Sequence, residues 1–362
     1  MGRACPKLPV AATVAIACLA GGLIASGAAD AAGHAERHRR AAENLPPRGK
    51  AFFGVTDTGE AAGFEDFANA VGAHPAVIET YHPYGNSVHI SLPRWEQVHA
   101  RPMLHISTAA GKDRHEVITP RAIARGRGDD YLLRLNRSFA AHAMPAYIRP
   151  LGEPNRCLNP YTATRCNGSA NGAAHSTRWY RQAFRRMYLI LHGGARRTVL
   201  DRRLRRLHLP PIRRKSGPEP RLLPRAPVSV IWSPQPNGSP AVRGNGAAAY
   251  FPGKRYVDWV GTDIYSRYGD FAAMSRFYHR FARGKPFAIT EFGLWGEDDP
   301  AFLRHLLRWV RAHRATRMLV YYQDFGTRNP FRIQNFPRGR AVLRHALDSR
   351  RFPPRASRFP RP

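Results

Sequence analysis

Two glutamates sit where they could do chemistry. Glu153 closes the run Ala146-Tyr147-Ile148-Arg149-Pro150-Leu151-Gly152, which opens as a short apolar stretch of strand length, and Pro154 directly after it forbids simple continuation of a central strand. Glu291 closes a second run of the same design, Pro286-Phe287-Ala288-Ile289-Thr290, and is followed by Phe292-Gly293. For either residue alone, capping a strand or pairing with one of the many arginines is the commoner use of a carboxylate. Two carboxyl groups on matching strand ends change that balance. Glycoside hydrolysis needs such a pair, one acid to protonate the leaving oxygen and one carboxylate to attack or to activate water.

Bringing two strand ends side by side takes a parallel sheet, and the chain alternates strand and helix signals throughout. Strands are expected over 51–56, 76–81, 101–107, the stretch from Ala146, 228–232, 259–265, 287–291 and 318–322. Helices are expected over 64–71, 93–100, 120–141, from the cap Ser176 through Leu191, and over 271–282, 300–313 and 338–347. Eight alternations imply an α/β fold, a (β/α)8 TIM barrel, as one domain over residues 51–348. An Arg/Pro-rich insertion at 195–226 breaks the rhythm. It reads as a helical turn plus an irregular loop on the side away from the strand mouths, either solvated or docking a polyanion.

Composition fits a chain with a substantial core: 362 residues, 43% of them hydrophobic. The net charge of +32 is extreme, and nearly all 57 basic residues are arginine. With 31 prolines and abundant alanine and glycine, that bias is what GC-rich codons produce, so charge alone says little about function. The arginines are dispersed and no zinc-finger, helix-turn-helix or RNA-binding signature accompanies them, which sets a nucleic-acid partner below an enzyme. Attraction to an anionic cell surface or an acidic glycan is the remaining electrostatic expectation, and it would weaken with salt.

Residues 1–31 read as an export signal: Arg3 and Lys7 at the start, an apolar stretch over 8–27, then small residues in Ala29-Asp30-Ala31. Secretion follows from that reading, with an uncleaved membrane anchor as the alternative. Cys5 and Cys18 would leave with the signal, and Cys157 and Cys166 would meet an oxidising space and form a disulfide just after Glu153. A thiol nucleophile or a zinc pair lacks the spaced His and Cys partners it would need, and no metal or cofactor is expected. Residues 32–50 read as a flexible basic leader and 349–362 as a disordered basic tail.

With the strands placed, the sequence resembles clan A glycoside hydrolases, most closely family 26, known chiefly for β-mannanases. Ile148-Arg149-Pro150-Leu151-Gly152-Glu153-Pro154-Asn155 resembles that family's acid/base strand, and Ile289-Thr290-Glu291-Phe292-Gly293 its nucleophile strand. Between them Ile231-Trp232-Ser233-Pro234, Tyr250-Phe251-Pro252-Gly253 and Val257-Asp258-Trp259-Val260-Gly261-Thr262-Asp263-Ile264-Tyr265 are similar to its fifth and sixth strand signatures. The resemblance implies Glu153 as acid/base and Glu291 as nucleophile, with retention at the anomeric carbon and the two carboxyls ~5 Å apart. It implies a monomeric enzyme on a polysaccharide, β-1,4-mannan first and β-glucan or β-xylan next, and places Asp263 and Tyr265 beside the nucleophile. Near the strand ends, Trp232, Trp295 and Tyr322 are candidate platforms for sugar faces, with core packing the competing explanation. His105 and Asn155 are candidate partners for a sugar hydroxyl or, for Asn155, the Glu153 loop. Arg149 would stand in the barrel wall, poised to support a carboxylate. One departure matters: the family carries His before the acid/base, and Gly152 brings no donor. A catalytically silent barrel that binds wall or acidic glycans is therefore the alternative.

Overall fold

Eight parallel strands close on themselves in chain order in the computed structural model, which describes residues 1–2, 44–213, 221–323 and 329–356. They are β1 (Phe52–Thr56), β2 (Val77–Pro83), β3 (Arg101–Ser107), β4 (Ala146–Pro150), β5 (Val228–Trp232), β6 (Trp259–Tyr265), β7 (Phe287–Gly293) and β8 (Thr316–Tyr321). The chain divides after Ala42, and the barrel belongs wholly to the second unit. The alternation of strand side chains decides which residues reach the axis. Phe52, Val77, Met103, Tyr147, Ile231, Trp259, Ala288 and Met318 form one buried cluster inside the barrel. Their neighbours Phe53, Ile78, Leu104, Ile148, Val230, Val260, Ile289 and Leu319 belong to the larger cluster between sheet and helices.

The outer layer contains α1 (Ala61–Val71), α2 (Leu92–Gln97), α3 (Pro120–Ala124), α4 (Asp129–Ala141), α5 (Thr177–His192), α6 (Arg197–Arg205), α7 (Phe271–Phe281), α8 (Pro300–Ala312) and α9 (Pro337–Leu347). Ser176 caps α5 by accepting from the Trp179 N–H, as the sequence suggests. The helix expected over 120–141 is instead two, because Gly126 and Gly128 take left-handed φ values of 86° and 84° between α3 and α4. Between β5 and β6 the described residues contain 3-10 turns, Ala247–Tyr250 and Lys254–Tyr256, in place of an α-helix.

The leader and the tail need correcting. Residues 3–43, which carry the expected export signal and most of the leader, lie outside the described residues. Asn44, however, is 1% exposed and donates to Ala146 O, Pro227 O and Ser229 Oγ, while its own carbonyl accepts from Arg101 and Tyr147. It stops the N-terminal end of the barrel. At the other terminus the Arg351 carbonyl accepts from the Ala51 N–H at 3.0 Å, and Phe352 packs edge-on against Phe53. Residues 44–50 and the start of the tail are thus held by the barrel floor, because the Asn44 amide satisfies carbonyls at the starts of two strands and the Arg351 carbonyl takes the Ala51 N–H. The insertion is also more regular than expected. A two-stranded antiparallel sheet, Gly193–Arg196 with Leu222–Arg225, flanks α6, and Leu200 and Leu204 anchor that helix while Arg202, Arg203 and Arg205 face outward. No helix of the described residues is long and apolar enough to cross a membrane.

Candidate active site

Strand register explains why Arg149 reaches the mouth of the barrel. It lies two residues beyond the inward-facing Tyr147, and it pairs across the sheet with His105, which in turn pairs with Tyr81. Beyond Pro150 the chain turns hard. Leu151 and Glu153 both take left-handed φ, 52° and 47°, a conformation that costs a non-glycine residue roughly 1–3 kcal/mol. Four hydrogen bonds hold it: Leu151 N to Ile106 O and Glu153 N to Ser233 O at 2.8 Å, Tyr161 Oη to Gly152 O at 2.5 Å, and Asn159 Nδ2 to Glu153 O at 3.0 Å. The disulfide between Cys157 and Cys166 closes the loop that carries Asn159 and Tyr161. Glu153 is presented at the rim as a result.

A register shift does the same service for Glu291. Thr262 pairs with Ile289, but the next residue, Asp263, pairs with Glu291, so Thr290 is the extra residue of a bulge. Strict alternation from the inward Ala288 would send Glu291 outward; the bulge lets Thr290 and Glu291 both serve the interior. Thr290 Oγ1 donates to Asp263 Oδ1 at 2.6 Å. Glu291 accepts from Arg149 Nη1 and Tyr81 Oη (3.0 Å) on Oε1, and from Tyr265 Oη (2.5 Å) on Oε2.

One guanidinium thereby serves three carboxyl groups. Arg149, fully buried, also donates from Nη1 to Glu79 Oε1 at 2.9 Å, from Nη2 to Asp263 Oδ2, and from Nε to Ser233 Oγ at 2.7 Å. Three buried negative charges around one positive charge is not a stable count, so the acids divide the work. Burial pushes Glu79 up to about 8 and Asp263 well above the usual carboxylate range. Burial would raise Glu291 too, but Arg149, His105 and Tyr265 outweigh it and bring this carboxyl down to about 2. Burial and the guanidinium keep His105 neutral, down to about 3. The site thus holds one strongly ionised carboxylate among proton-bearing neighbours.

Glu153 and Glu291 line one cleft of about 1010 Å³. Glu153 is 7% exposed and accepts from Arg156 Nη1 on Oε2 and Gln235 Nε2 on Oε1, both at 2.9 Å. On the Glu291 side the wall is aromatic, with Tyr265 5.6 Å from Trp295, 5.9 Å from Tyr322 and 5.5 Å from Phe331 between ring centroids. Such rings can stack on the apolar face of a sugar.

The cleft brings together Glu153, Glu291, Asp263, Tyr265, Trp295, Tyr322 and His105 from the sequence candidates. Two candidates go elsewhere. Trp232 is completely buried among Phe251, Phe277 and Phe281, because its position on β5 faces the helices and not the axis. Asn155 is also completely buried: its amide donates to Gln235 O and Asn237 O and accepts from Gln235 N, so it braces the loop that carries Gln235. Sequence reasoning missed Glu79 and Tyr81, although their i, i+2 spacing on an expected strand puts both on the inward face. The ligand atoms of Glu79, His105 and Glu291 lie within 4.8 Å of one another, a spacing a metal ion could use. Arg149 Nη1 already bonds both glutamates and lies 3.4 Å from His105 Nδ1, so the cation of this cluster is the guanidinium.

No family model and no curated protein matches this chain. Solved structures do. A GH26 β-mannanase from Bacteroides ovatus is similar at 16% identity, with 84% of this chain and 90% of that one covered and a TM-score of 0.53. An endo-β-1,4-mannanase double mutant from Cellulomonas fimi is similar at 17% identity over 78% of this chain and 67% of that one, TM-score 0.53. GH26A from a Muricauda species is similar at 15% identity over 84% and 91%, TM-score 0.53. At these identities the likeness concerns the fold: this chain is a (β/α)8 barrel of the kind found in glycoside hydrolase family 26.

Proposed function

We propose that the chain is an exported retaining endo-β-glycosidase acting on a β-linked polysaccharide, β-1,4-mannan first. The observation that carries the reading is a pair of carboxyl groups from the ends of β4 and β7 facing one cleft, with Glu291 held strongly ionised by Arg149. In the first step the Glu291 carboxylate attacks the anomeric carbon and forms a glycosyl ester, while the bond to the leaving oxygen breaks as Glu153 gives that oxygen its proton. In the second, Glu153 takes a proton from water, the water oxygen attacks the same carbon, and the ester bond returns its electrons to Glu291. Tyr265 and Tyr81 orient the nucleophile, and Asp263 and Glu79 share its guanidinium. Residues 51–348 as the catalytic unit and 1–31 as the export signal belong to the same proposal, and a disulfide suits an oxidising compartment.

A second reading is a barrel that binds glycan without turning it over, and Gly152 favours it by bringing no side-chain donor to the cleft. Incubation of the purified protein with β-1,4-mannan, β-glucan and β-xylan, followed by proton NMR of the first products, separates the two. Retained β-anomers that disappear in Glu291→Gln and Glu153→Gln are expected. Inverted product, or equal turnover by parent and both variants, would sink the double-displacement reading.

A further inference from the structure

Beside the aromatic rings, the cleft is lined by two arginines, Arg114 and Arg156, and by the carboxyl groups of Glu153, Glu291, Asp263 and Asp270; Asp270 is taken up by the Asn237 amide and the Ala273 N–H, and Arg156 pairs with Glu153. Arg114 stands at the tip of a hairpin, Ala109–Ala110 with His115–Glu116, that leans over the cleft, and it takes a left-handed φ of 55° to do so. Its Nη2 donates to Asn159 Oδ1 at 3.2 Å, and no carboxylate among the described residues pairs with it. Arg156 meets Glu153 Oε2 from the other side, with its side chain 36% exposed.

A neutral sugar laid against these arginines would offer the exposed Arg114 guanidinium hydroxyl acceptors alone, weaker partners than an anion. Catalysis sharpens the problem. When Glu153 carries the proton it must donate, Arg156 loses its negative partner, and two guanidinium groups face the same cleft. A carboxylate on the glycan would satisfy both, since guanidinium forks bind carboxylates through paired charge-assisted hydrogen bonds.

Resting on the hydrolase reading above, we infer that the glycan this cleft takes is acidic, a β-linked chain whose carboxylate seats against Arg114 and Arg156 beside Glu153. The carboxylate can belong to the backbone sugar or to a side group, and the chemistry at the arginines is the same.

The test uses the full chain and matched pairs of polymers: β-1,4-mannan against poly-β-1,4-mannuronate, and neutral β-xylan against glucuronoxylan. One carboxylated member is expected to exceed its neutral partner in kcat/KM by about tenfold or more, as a single charge-assisted hydrogen bond allows. Preference within the first pair assigns a backbone carboxylate, and within the second a side group. The gap should close in the Arg114→Gln/Arg156→Gln double variant. Calorimetric binding of oligosaccharides from the same four polymers to Glu291→Gln reads the preference without turnover. No hydrolysis by the parent together with tighter binding of an acidic oligosaccharide removes the hydrolase and leaves the acidic subsite standing. Equal or better handling of the neutral members in both measurements overturns the inference, and so does a preference that survives the double variant, because the general positive charge would then be its source.

Discussion

Gly152 and Arg149 occupy one space: a β-carbon at position 152 would lie 2.7 Å from Arg149 Nε and 2.9 Å from its Cζ. The end of an arginine side chain usually gives way cheaply. This one is pinned by Ser233, Glu79, Asp263 and Glu291, so the strain passes to the nucleophile. Gly152→Ala is expected to lower kcat/KM about tenfold and stability by about 1–3 kcal/mol, the usual cost of overpacking. Steady-state kinetics and urea denaturation check it; unchanged values would mean that Arg149 shifts without disturbing Glu291.

Arg149→Lys asks whether a charge alone suffices. A lysine carries one ammonium on a flexible stem and cannot reproduce the guanidinium fork between Glu291 and Asp263. Burial then dominates at Glu291 and raises its pKa from about 2, so the acid limb of the kcat/KM profile moves to higher pH. A limb that stays in place would show that Tyr265 and Tyr81 suffice to hold the nucleophile ionised.

Glu79 should govern the opposite limb. Its proton is retained up to about 8, and while it is retained Glu291 has the stronger claim on Arg149. Above that pH the ionised Glu79 competes for Nη1, and activity falls. The sign for stability is the same. The folded state holds the proton and the unfolded state releases it near 4.5, so this contribution is complete below 4.5 and is lost as pH rises through about 8. Glu79→Gln keeps the neutral shape, so it is expected to retain activity at mildly acidic pH, to lose the alkaline limb, and to show a smaller drop in Tm from mildly acidic to alkaline pH than the parent. Identical alkaline limbs in the two proteins would acquit Glu79.

The barrel was legible because its strands are short apolar runs buried on both faces, and because α5, α7 and α8 open on a capping side chain, signals that need no distant partner. The site was legible where a residue ends a strand in a recognisable run, as Glu153, Glu291 and Tyr265 do. Trp232 and Asn155 went astray because the same runs do not say which way a side chain turns. Trp232 follows the outward phase set by Val230, and Asn155 spends its amide on a loop fixed 80 residues later in the chain. Glu79 lacked a motif altogether, and its meaning arises only when Arg149 arrives from another strand. Asn44 shows the same limit at the floor, where a residue in a basic, polar leader is buried by groups contributed from three other stretches.

The loop closed by Cys157 and Cys166 supplies Asn159 and Tyr161, the two side chains that grip the Gly152 and Glu153 carbonyls, and the bridge spans 9 residues of sequence. Closing a loop of that length removes unfolded-state entropy equivalent to roughly 2–3 kcal/mol. The left-handed turn at Glu153 depends on that grip, since nothing in the intrinsic preference of a glutamate favours it. Cys157→Ser/Cys166→Ser is therefore expected to lose about that much stability and, where the protein is still folded, to lower kcat more than it raises KM, because the aromatic wall around Glu291 is untouched. Thiol reduction of the parent should reproduce the loss in a parallel denaturation curve. Equal stability of the oxidised and reduced parent, with kcat unchanged, would show that Asn159 and Tyr161 hold the acid without the bridge.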